Sequence, residues 1–368
     1  MGTDGRNNLV FVFKRGLANF RTRTPHQYSL RSYDAEQAVL SEWSLPRTNL
    51  KDLVLGQKKI GLIRAKIMII MTQAFKKIIV ILGPTASGKS SLAIKLAEKI
   101  HGEIVNADSR QVYKKMDIGT GKTDSLGSKI PHHLLDVVWP DKPFSLAQYQ
   151  RLAILAIDDI LRRRKVPILC GGTGLYIRAI VDNLDIPKVK PNTVLRQRLE
   201  KQIAARLFSQ LKKLDTKTAK IIDRHNKRRL IRALEVVMSK KTSFAELQKT
   251  KKPRYEVLQI GIKTDRQILR QRIEKRFKQM IKGGLIEETK KLLKKYPVNL
   301  PSMSGIGYLE ISQYLAGEIP FQEAVNRAVA RTYQYSKRQM TWFKKDERIK
   351  WIDSPREAIK YSASFLKK

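Results

Sequence analysis

The sequence of 368 residues predicts an α/β fold with a P-loop NTPase-like parallel sheet core and a basic helical insertion domain. Three observations carry that expectation. Residues 81–92 read "ILGPTASGKSSL" and fit the phosphate-cradling pattern G-x-x-x-x-G-K-[ST]. From Met71 onward, strand-like and helix-like pieces alternate, as they do in chains that fold around a parallel sheet. Between residues 187 and 255 that alternation stops, and a helical pattern carries 21 Lys/Arg against 5 Asp/Glu.

The elements follow in order. Lys77 to Leu82 is short, apolar and β-branched, which reads as a buried parallel strand. Leu92, Ile94, Leu96, Ala97 and Ile100 recur at three- and four-residue spacing, so a helix starts at Ser90 and stops at His101-Gly102. The glycine loop, Gly83, Pro84, Thr85, Ala86, Ser87, Gly88, Lys89 and Ser90, thus sits between a strand and a helix, the context it needs. Gly83 and Gly88 let backbone N–H groups turn inward, and the helix N-terminus adds partial positive charge. Lys89 is placed to reach terminal phosphate oxygens, and the Ser90 hydroxyl to ligate Mg²⁺.

"EIVNAD" (103–108) is a second strand ending in Asp108, and "HHLLDVV" (132–138) a candidate third. Residues 144–165 form a long amphipathic helix, and "VPILC" (166–170) a strand that runs into Gly-Gly-Thr-Gly. In the insertion, Leu195, Leu199, Ile203, Leu207 and Leu211 are spaced by four. "YEVLQIGI" (255–262) returns as a strand, followed by the helix "RQILRQRIEKRFKQMIKGG". The organisation expected is a core in two parts, 71–186 and 255–368, interrupted by an insertion over 187–254. Residues 1–70 lack a sustained period and are expected to be a poorly ordered extension, with translation starting at Met68 or Met71.

The formal net charge is +41; residues 1–70 hold 12 basic and 5 acidic side chains, leaving +34 in the body. So basic a body points to a polyanionic partner, nucleic acid first and an anionic membrane second. Cys170 is the single cysteine, which excludes an internal disulfide or a cysteine zinc site and suits a reducing cytoplasm. No run of eighteen apolar residues exists, so no membrane span is expected.

Nucleotide hydrolases usually place an Asp at the end of an apolar strand to help hold Mg²⁺. Here residues 166–170 end in Gly171-Gly172-Thr173-Gly174, and the acid appears instead as Asp108. At a strand's carboxyl end it faces the crevice where parallel sheets bind ligands. Three roles are open to it: proton acceptor, magnesium ligand, or cap of a following helix.

Taken together, "GPTASGKS", "NADSRQVYKKMDIGTGK", "PHHLLDV", "CGGTGLY", "KRRLIRALEV" and "KRQMTWF" resemble the tRNA dimethylallyltransferases, also called tRNA isopentenyltransferases, over residues 76–353. Family members move a dimethylallyl group from dimethylallyl diphosphate to the exocyclic amine of the adenosine just 3′ of the anticodon. The resemblance implies that the loop holds the donor's diphosphate with Mg²⁺, although nucleotide and ATP binding is what such a loop usually signals. Lys89, Asp108 and Thr173 become the catalytic candidates, with Arg276 a diphosphate contact ahead of Arg272. The resemblance also implies tRNA contacts at Asp108, Ser109, Arg110 and Gln111; at Thr173 and Arg196; and at Arg228, Arg229, Leu230, Ile231 and Arg232. A further set covers Ser304, Gly305, Ile306, Gly307, Tyr308 and Leu309, with Tyr308 available to stack on an extruded base. Many members end the loop in Thr where this chain has Ser90. A cytoplasmic monomer acting on the anticodon stem-loop is the expectation. The alternative is an ATP-dependent P-loop kinase of a nucleoside or other small molecule, which explains the loop and Asp108 but not the basic insertion.

Overall fold

The apolar run before the glycine loop becomes β1 (Lys77–Leu82), with Ile78 through Leu82 fully buried at the centre of a six-stranded sheet. The structure is a computed structural model that describes residues 76–122, 128–187, 189, 191–240, 242–246 and 250–367. The 1–70 segment and its start sites therefore lie outside the described residues. The chain continues through α1 (Lys89–Ile100), β2 (Gly102–Asn106), β3 (His132–His133), α2 (Leu146–Arg162), β4 (Val166–Gly171) and α3 (Gly174–Val181). The insertion follows as α4 (Thr193–Glu200), α5 (Ala204–Leu214), α6 (Thr216–Ala219) and α7 (Lys227–Lys240). β5 (Glu256–Ile262), α8 (Arg266–Lys282), α9 (Leu285–Leu293), α10 (Tyr308–Leu315), α11 (Phe321–Phe343), β6 (Ile349–Ile352) and α12 (Pro355–Lys367) complete it.

All strands are parallel, in the order β3-β2-β4-β1-β5-β6. Successive side chains of a strand point to opposite faces, so β1 feeds two cores. Ile78, Val80 and Leu82 pack with Tyr149 and Ile157 of α2 and Ile177 of α3. Ile79 and Ile81 pack with Leu92 and Leu96 of α1 and Ala358 of α12. The helix boundaries follow local chemistry. Ser145 and Gln148 form a reciprocal capping box that starts α2, and His101 in the left-handed region ends α1.

Two expectations are revised. The strand expected over 132–138 joins β2 only at His132 and His133, because Leu134 (φ 64°) and Asp136 (φ 54°) turn into the left-handed region; Val138 makes a separate single bridge to Tyr113. The four-residue leucine series does not run through one helix: α4 ends at Glu200, and Ile203, 71% exposed, precedes the first turn of α5. Leu199, Leu207 and Leu211 remain inward and pack with Leu230 and Leu234 of α7, giving the insertion a core of its own.

That core carries a buried charge. Glu235 of α7 accepts hydrogen bonds from the Asn192 N–H (2.7 Å), Arg196 (2.9 and 2.7 Å) and Arg232 (2.5 Å). Burial pushes its carboxyl up, but these donors outweigh burial and hold it below its ordinary 4.5. A depressed folded value means that stability is present above about pH 4.5 and lost as pH falls through the folded value. Glu235→Gln should therefore lower the melting temperature at pH 7 and flatten its decline on the acid side. Since the two arginines keep partly exposed side chains, the loss should sit at the low end for a broken buried pair, about 3 kcal/mol. Melting curves of both proteins from pH 3 to 7 check this.

Candidate active site

Gly88 sits at φ 91°, a left-handed conformation that favours glycine, and it delivers the chain into α1 without a side-chain cap. The first N–H groups of α1 are thus left for an anion. Lys89 is buried, with Nζ 3.3 Å from the Pro84 carbonyl. Burial lowers its pKa, an effect opposed in part by the charge of Asp108. The Ser87 hydroxyl is buried and has no hydrogen-bond partner among the described residues. It packs inside the loop, where a Cβ at Gly83 would stand 2.9 Å from its oxygen, and it lines neither cavity of the site.

Two cavities meet at this loop. The larger, about 530 Å³, is lined by Lys89, Ser90, Arg272, Lys275, Arg276 and Met280 among others. The smaller, about 60 Å³, is lined by Thr85, Asn106, Asp108 and Gln111 together with Lys89, Ser90 and Arg276. The last three residues border both. Arg276 is held against the Gly121 turn so closely that a Cβ there would lie 1.8 Å from its Nη2. Arg272, one turn earlier on α8, reaches only the larger space.

Asp108 stands two residues beyond β2. Asn106 Oδ1 accepts its N–H (3.0 Å), and the Asn106 amide donates to the carbonyls of Asp108 and Leu134 (both 3.1 Å). Asn106 is itself fixed by Tyr149 Oη, which donates to its carbonyl at 3.1 Å and stacks on Tyr176. The Asp108 carboxylate accepts the Arg110 N–H at 2.8 Å through Oδ1, closing a turn that leads into no helix. The helix-cap role is therefore set aside. Oδ2 has no hydrogen-bond donor among the described residues.

Thr173 Oγ1 accepts the Ser109 N–H at 3.0 Å and lies 3.3 Å from Ser109 Oγ, which ties the 108–111 segment to the loop after β4. Gln111 Nε2 donates to the carbonyls of Thr120 and Gly121 (3.2 and 3.3 Å), and Arg110 to that of Pro301 (2.6 Å). The 108–111 and 301–304 segments are thus brought together. Arg228 and Arg229 are exposed at the start of α7, and Arg228 and Arg110 both bear electrostatically on the buried Tyr113.

Other sequence-predicted contacts fall elsewhere. Tyr308 is 1% exposed, with its hydroxyl donating to Glu288 Oε1 at 2.6 Å, so its ring is not available for stacking. Gly305 and Gly307 are buried, Ile306 and Leu309 half-buried, and Ser304 is exposed beside Arg110. Leu230 and Ile231 face the insertion's core, and Arg196 and Arg232 turn to Glu235. These four side chains hold the insertion together.

The sequence reading missed Asn106, Glu288, Tyr335 and Gln339. Glu288 accepts three consecutive N–H groups, Asp117 to Gly119 (2.9–3.1 Å), ahead of the Gly121 turn. Gln339 lies inside the "KRQMTWF" motif, whose chemistry no periodicity could reveal. Its Oε1 accepts the Thr85 N–H of the glycine loop and its Nε2 donates to the Gly172 carbonyl, both at 2.9 Å.

A glycine loop leading into a helix N-terminus, beside a carboxylate in cation-lined space, defines a P-loop α/β protein with a cleft suited to an anion. Comparison with known proteins is more specific. A family model described as IPP transferase matches residues 111–346, and one described as isopentenyl transferase matches residues 76–129. A tRNA dimethylallyltransferase of Halothermothrix orenii is 43% identical over 300 residues, 79% of this chain and 92% of the relative. One of Carboxydothermus hydrogenoformans is 44% identical over 292 residues, 77% and 94% of the two chains. The crystal structure of the full-length tRNA isopentenylpyrophosphate transferase of Bacillus halodurans superposes with a TM-score of 0.60 at 34% identity, covering 79% of this chain and 97% of that one. A eukaryotic dimethylallyltransferase acting on tRNA gives 0.70 at 28% identity, covering 79% and 80%. The chain belongs to the IPP transferase family.

Tyr308 offers a test of its placement. Tyr308→Phe keeps a stacking surface but removes the donor to Glu288, and should cost about 1–2 kcal/mol of stability with RNA affinity unchanged. A ring used for stacking would tolerate Phe in both measurements; thermal melting and RNA titration of the variant tell the two apart.

Proposed function

We infer that this chain transfers a dimethylallyl group from dimethylallyl diphosphate to the exocyclic amine of the adenosine 3′-adjacent to the anticodon in tRNA, releasing diphosphate. The observation that carries this reading is the pair of cavities sharing Lys89, Ser90 and Arg276, with Asp108 lining the smaller one. In the reaction the bond between the allylic carbon and the diphosphate oxygen breaks, and its electron pair leaves with diphosphate. The adenine amine nitrogen forms the new bond to that carbon, and its proton passes to Asp108. Lys89, Arg276 and the first N–H groups of α1 surround the departing charge. Thr173 fixes the backbone on which Asp108 and Ser109 are carried.

Mg²⁺ fits the donor set: Ser90 supplies one hard oxygen, no cluster of three His, Cys, Asp or Glu competes for a metal among the described residues, and Mg²⁺ characteristically completes its shell with phosphate oxygens and water. When bound, it would neutralise charge on the diphosphate. The RNA face is formed by the exposed Arg228 and Arg229 with Ser109, Arg110 and Ser304, and the enzyme acts as a monomer in the cytoplasm. No helix among the described residues is long and apolar enough to cross a membrane. The kinase alternative gains nothing from the geometry, since β4 ends without a carboxylate and the basic insertion has no part in it.

Asp108→Asn keeps size and polarity but removes basicity, so single-turnover transfer to an anticodon stem-loop should fall by roughly a hundred- to ten-thousandfold. Donor affinity should change little. A variant with a normal rate would defeat the assignment, and one rescued by excess Mg²⁺ would make Asp108 a metal ligand. Replacing Arg228 and Arg229 together with Ala should weaken RNA binding and make its salt dependence shallower by about two units of log–log slope, leaving donor affinity intact. Titrations across 50–300 mM salt read this directly.

A further inference from the structure

The carboxyl half of α11 touches the loop after β4 along one helical face. Tyr335, Gln339 and Trp342 lie at i, i+4 and i+7, and they meet Thr173, Gly172 and Gly174 respectively. The Tyr335 hydroxyl lies against the side chains of Thr173 and Gln339. A Cβ at Gly172 would stand 2.2 Å from Gln339 Nε2, and one at Gly174 would stand 2.3 Å from the Trp342 ring. Gln339 is 4% exposed and uses both ends of its amide: Oε1 on the Thr85 N–H, Nε2 on the Gly172 carbonyl. Thr85 belongs to the loop that holds the leaving group. Gly172 and Thr173 belong to the loop that carries Asp108 and Ser109 through the Thr173 hydroxyl. One buried side chain thus spans the two halves of the site, and its amide cannot be reversed without opposing donor to donor and acceptor to acceptor.

We propose that Gln339 and Tyr335 are positioning residues that set the separation between the diphosphate-holding loop and the loop carrying the proton acceptor. The proposal rests on the transfer reaction inferred above. Alkyl transfer needs the amine, the allylic carbon and the leaving oxygen in line, and an error of about 1 Å in such an arrangement can cost a hundredfold in rate. Gln339 binds neither substrate: it acts through Thr85 and Gly172. Tyr335 seats Thr173 from the same helix face, one turn earlier.

Three variants test this in the full-length chain. Gln339→Met keeps the volume and removes both hydrogen bonds; Tyr335→Phe removes a single oxygen; Gly172→Ala pushes Gln339 away without altering it. Wild-type transfer to an anticodon stem-loop is measured first, and its absence would overturn both the functional reading and the coupling built on it. With wild type active, Gln339→Met and Gly172→Ala should lose about 10- to 100-fold in single-turnover rate, and Tyr335→Phe a smaller but measurable part, while affinities for pyrophosphate and for stem-loop RNA stay within about threefold. A purely structural role would lower the melting temperature and both affinities in step with the rate, and that result overturns the proposal. So does an unchanged rate in Tyr335→Phe, the variant least able to disturb folding.

Discussion

No side chain can be added at Gly171, Gly172 or Gly174 without entering the Ala107 carbonyl at 2.2 Å, the Gln339 amide at 2.2 Å or the Trp342 ring at 2.3 Å. The loop after β4 is therefore pressed on one side by the extension of β2 and on the other by α11. Ala107 N donates to the Cys170 carbonyl at 2.7 Å, and Thr173 N to the Ala107 carbonyl at 3.1 Å, so the ladder between β2 and β4 continues past both strands. Asp108 owes its place to that continuation. It is held at the carboxyl edge of the sheet, where parallel strands present ligands, by backbone bonds that would be lost if either chain moved aside.

The electrostatic arrangement follows from where the acids are used. Glu103, Glu235, Glu288 and Glu310 are each anchored by donors within the fold: Glu103 by Arg163, Lys165 and His133, and Glu310 by Arg331 and the Gly307 N–H. Paired inside, they stabilise the frame and leave little negative charge at the site. Asp108 borders the smaller cavity with Lys89 and Arg276, and Arg272 and Lys275 add their charge to the larger one, whose lining holds no acid. An anion entering there meets cations at close range in partly dehydrated surroundings, where charge interactions are stronger than in water. The phenols of Tyr149, Tyr176 and Tyr335 are all pushed up, chiefly by burial and further by Asp108. They stay neutral and add no charge near the carboxylate.

What the sequence disclosed and what it withheld divide along physical lines. Buried parallel strands and amphipathic helices announce themselves by period, so β1, β2, β4, β5 and the main helices fall close to where the pattern places them. The glycine loop was legible because its function fixes residue types at fixed spacing. Tyr308 misled because a tyrosine in a motif looks the same whether its ring stacks on a base or its hydroxyl serves Glu288 from within. Arg196 and Arg232 misled similarly, since positive charge near a polyanion site does not say which carboxylate has already claimed it. Gln339 was invisible for the opposite reason. A neutral side chain acquires meaning only when two loops, 167 and 254 residues away along the chain, arrive at its two ends.

These contacts also explain why the acid follows β2 and not β4. In proteins that hydrolyse nucleotides, a carboxylate beside the glycine loop helps hold Mg²⁺ near the phosphorus under attack. Transfer from an allylic diphosphate places the reacting centre on carbon, one bond beyond the oxygen, and the phosphorus is never attacked. A carboxylate is then needed farther from the loop, opposite the carbon, where it can meet the incoming amine. The geometry enforces this placement. At Gly172 the space for a side chain is taken by Gln339, whereas one strand outward the backbone turns at Asp108 and leaves Oδ2 without a donor. With Asp108 as the proposed proton acceptor, the close packing that leaves no room for an acid at Gly172 also fixes the backbone that carries this one.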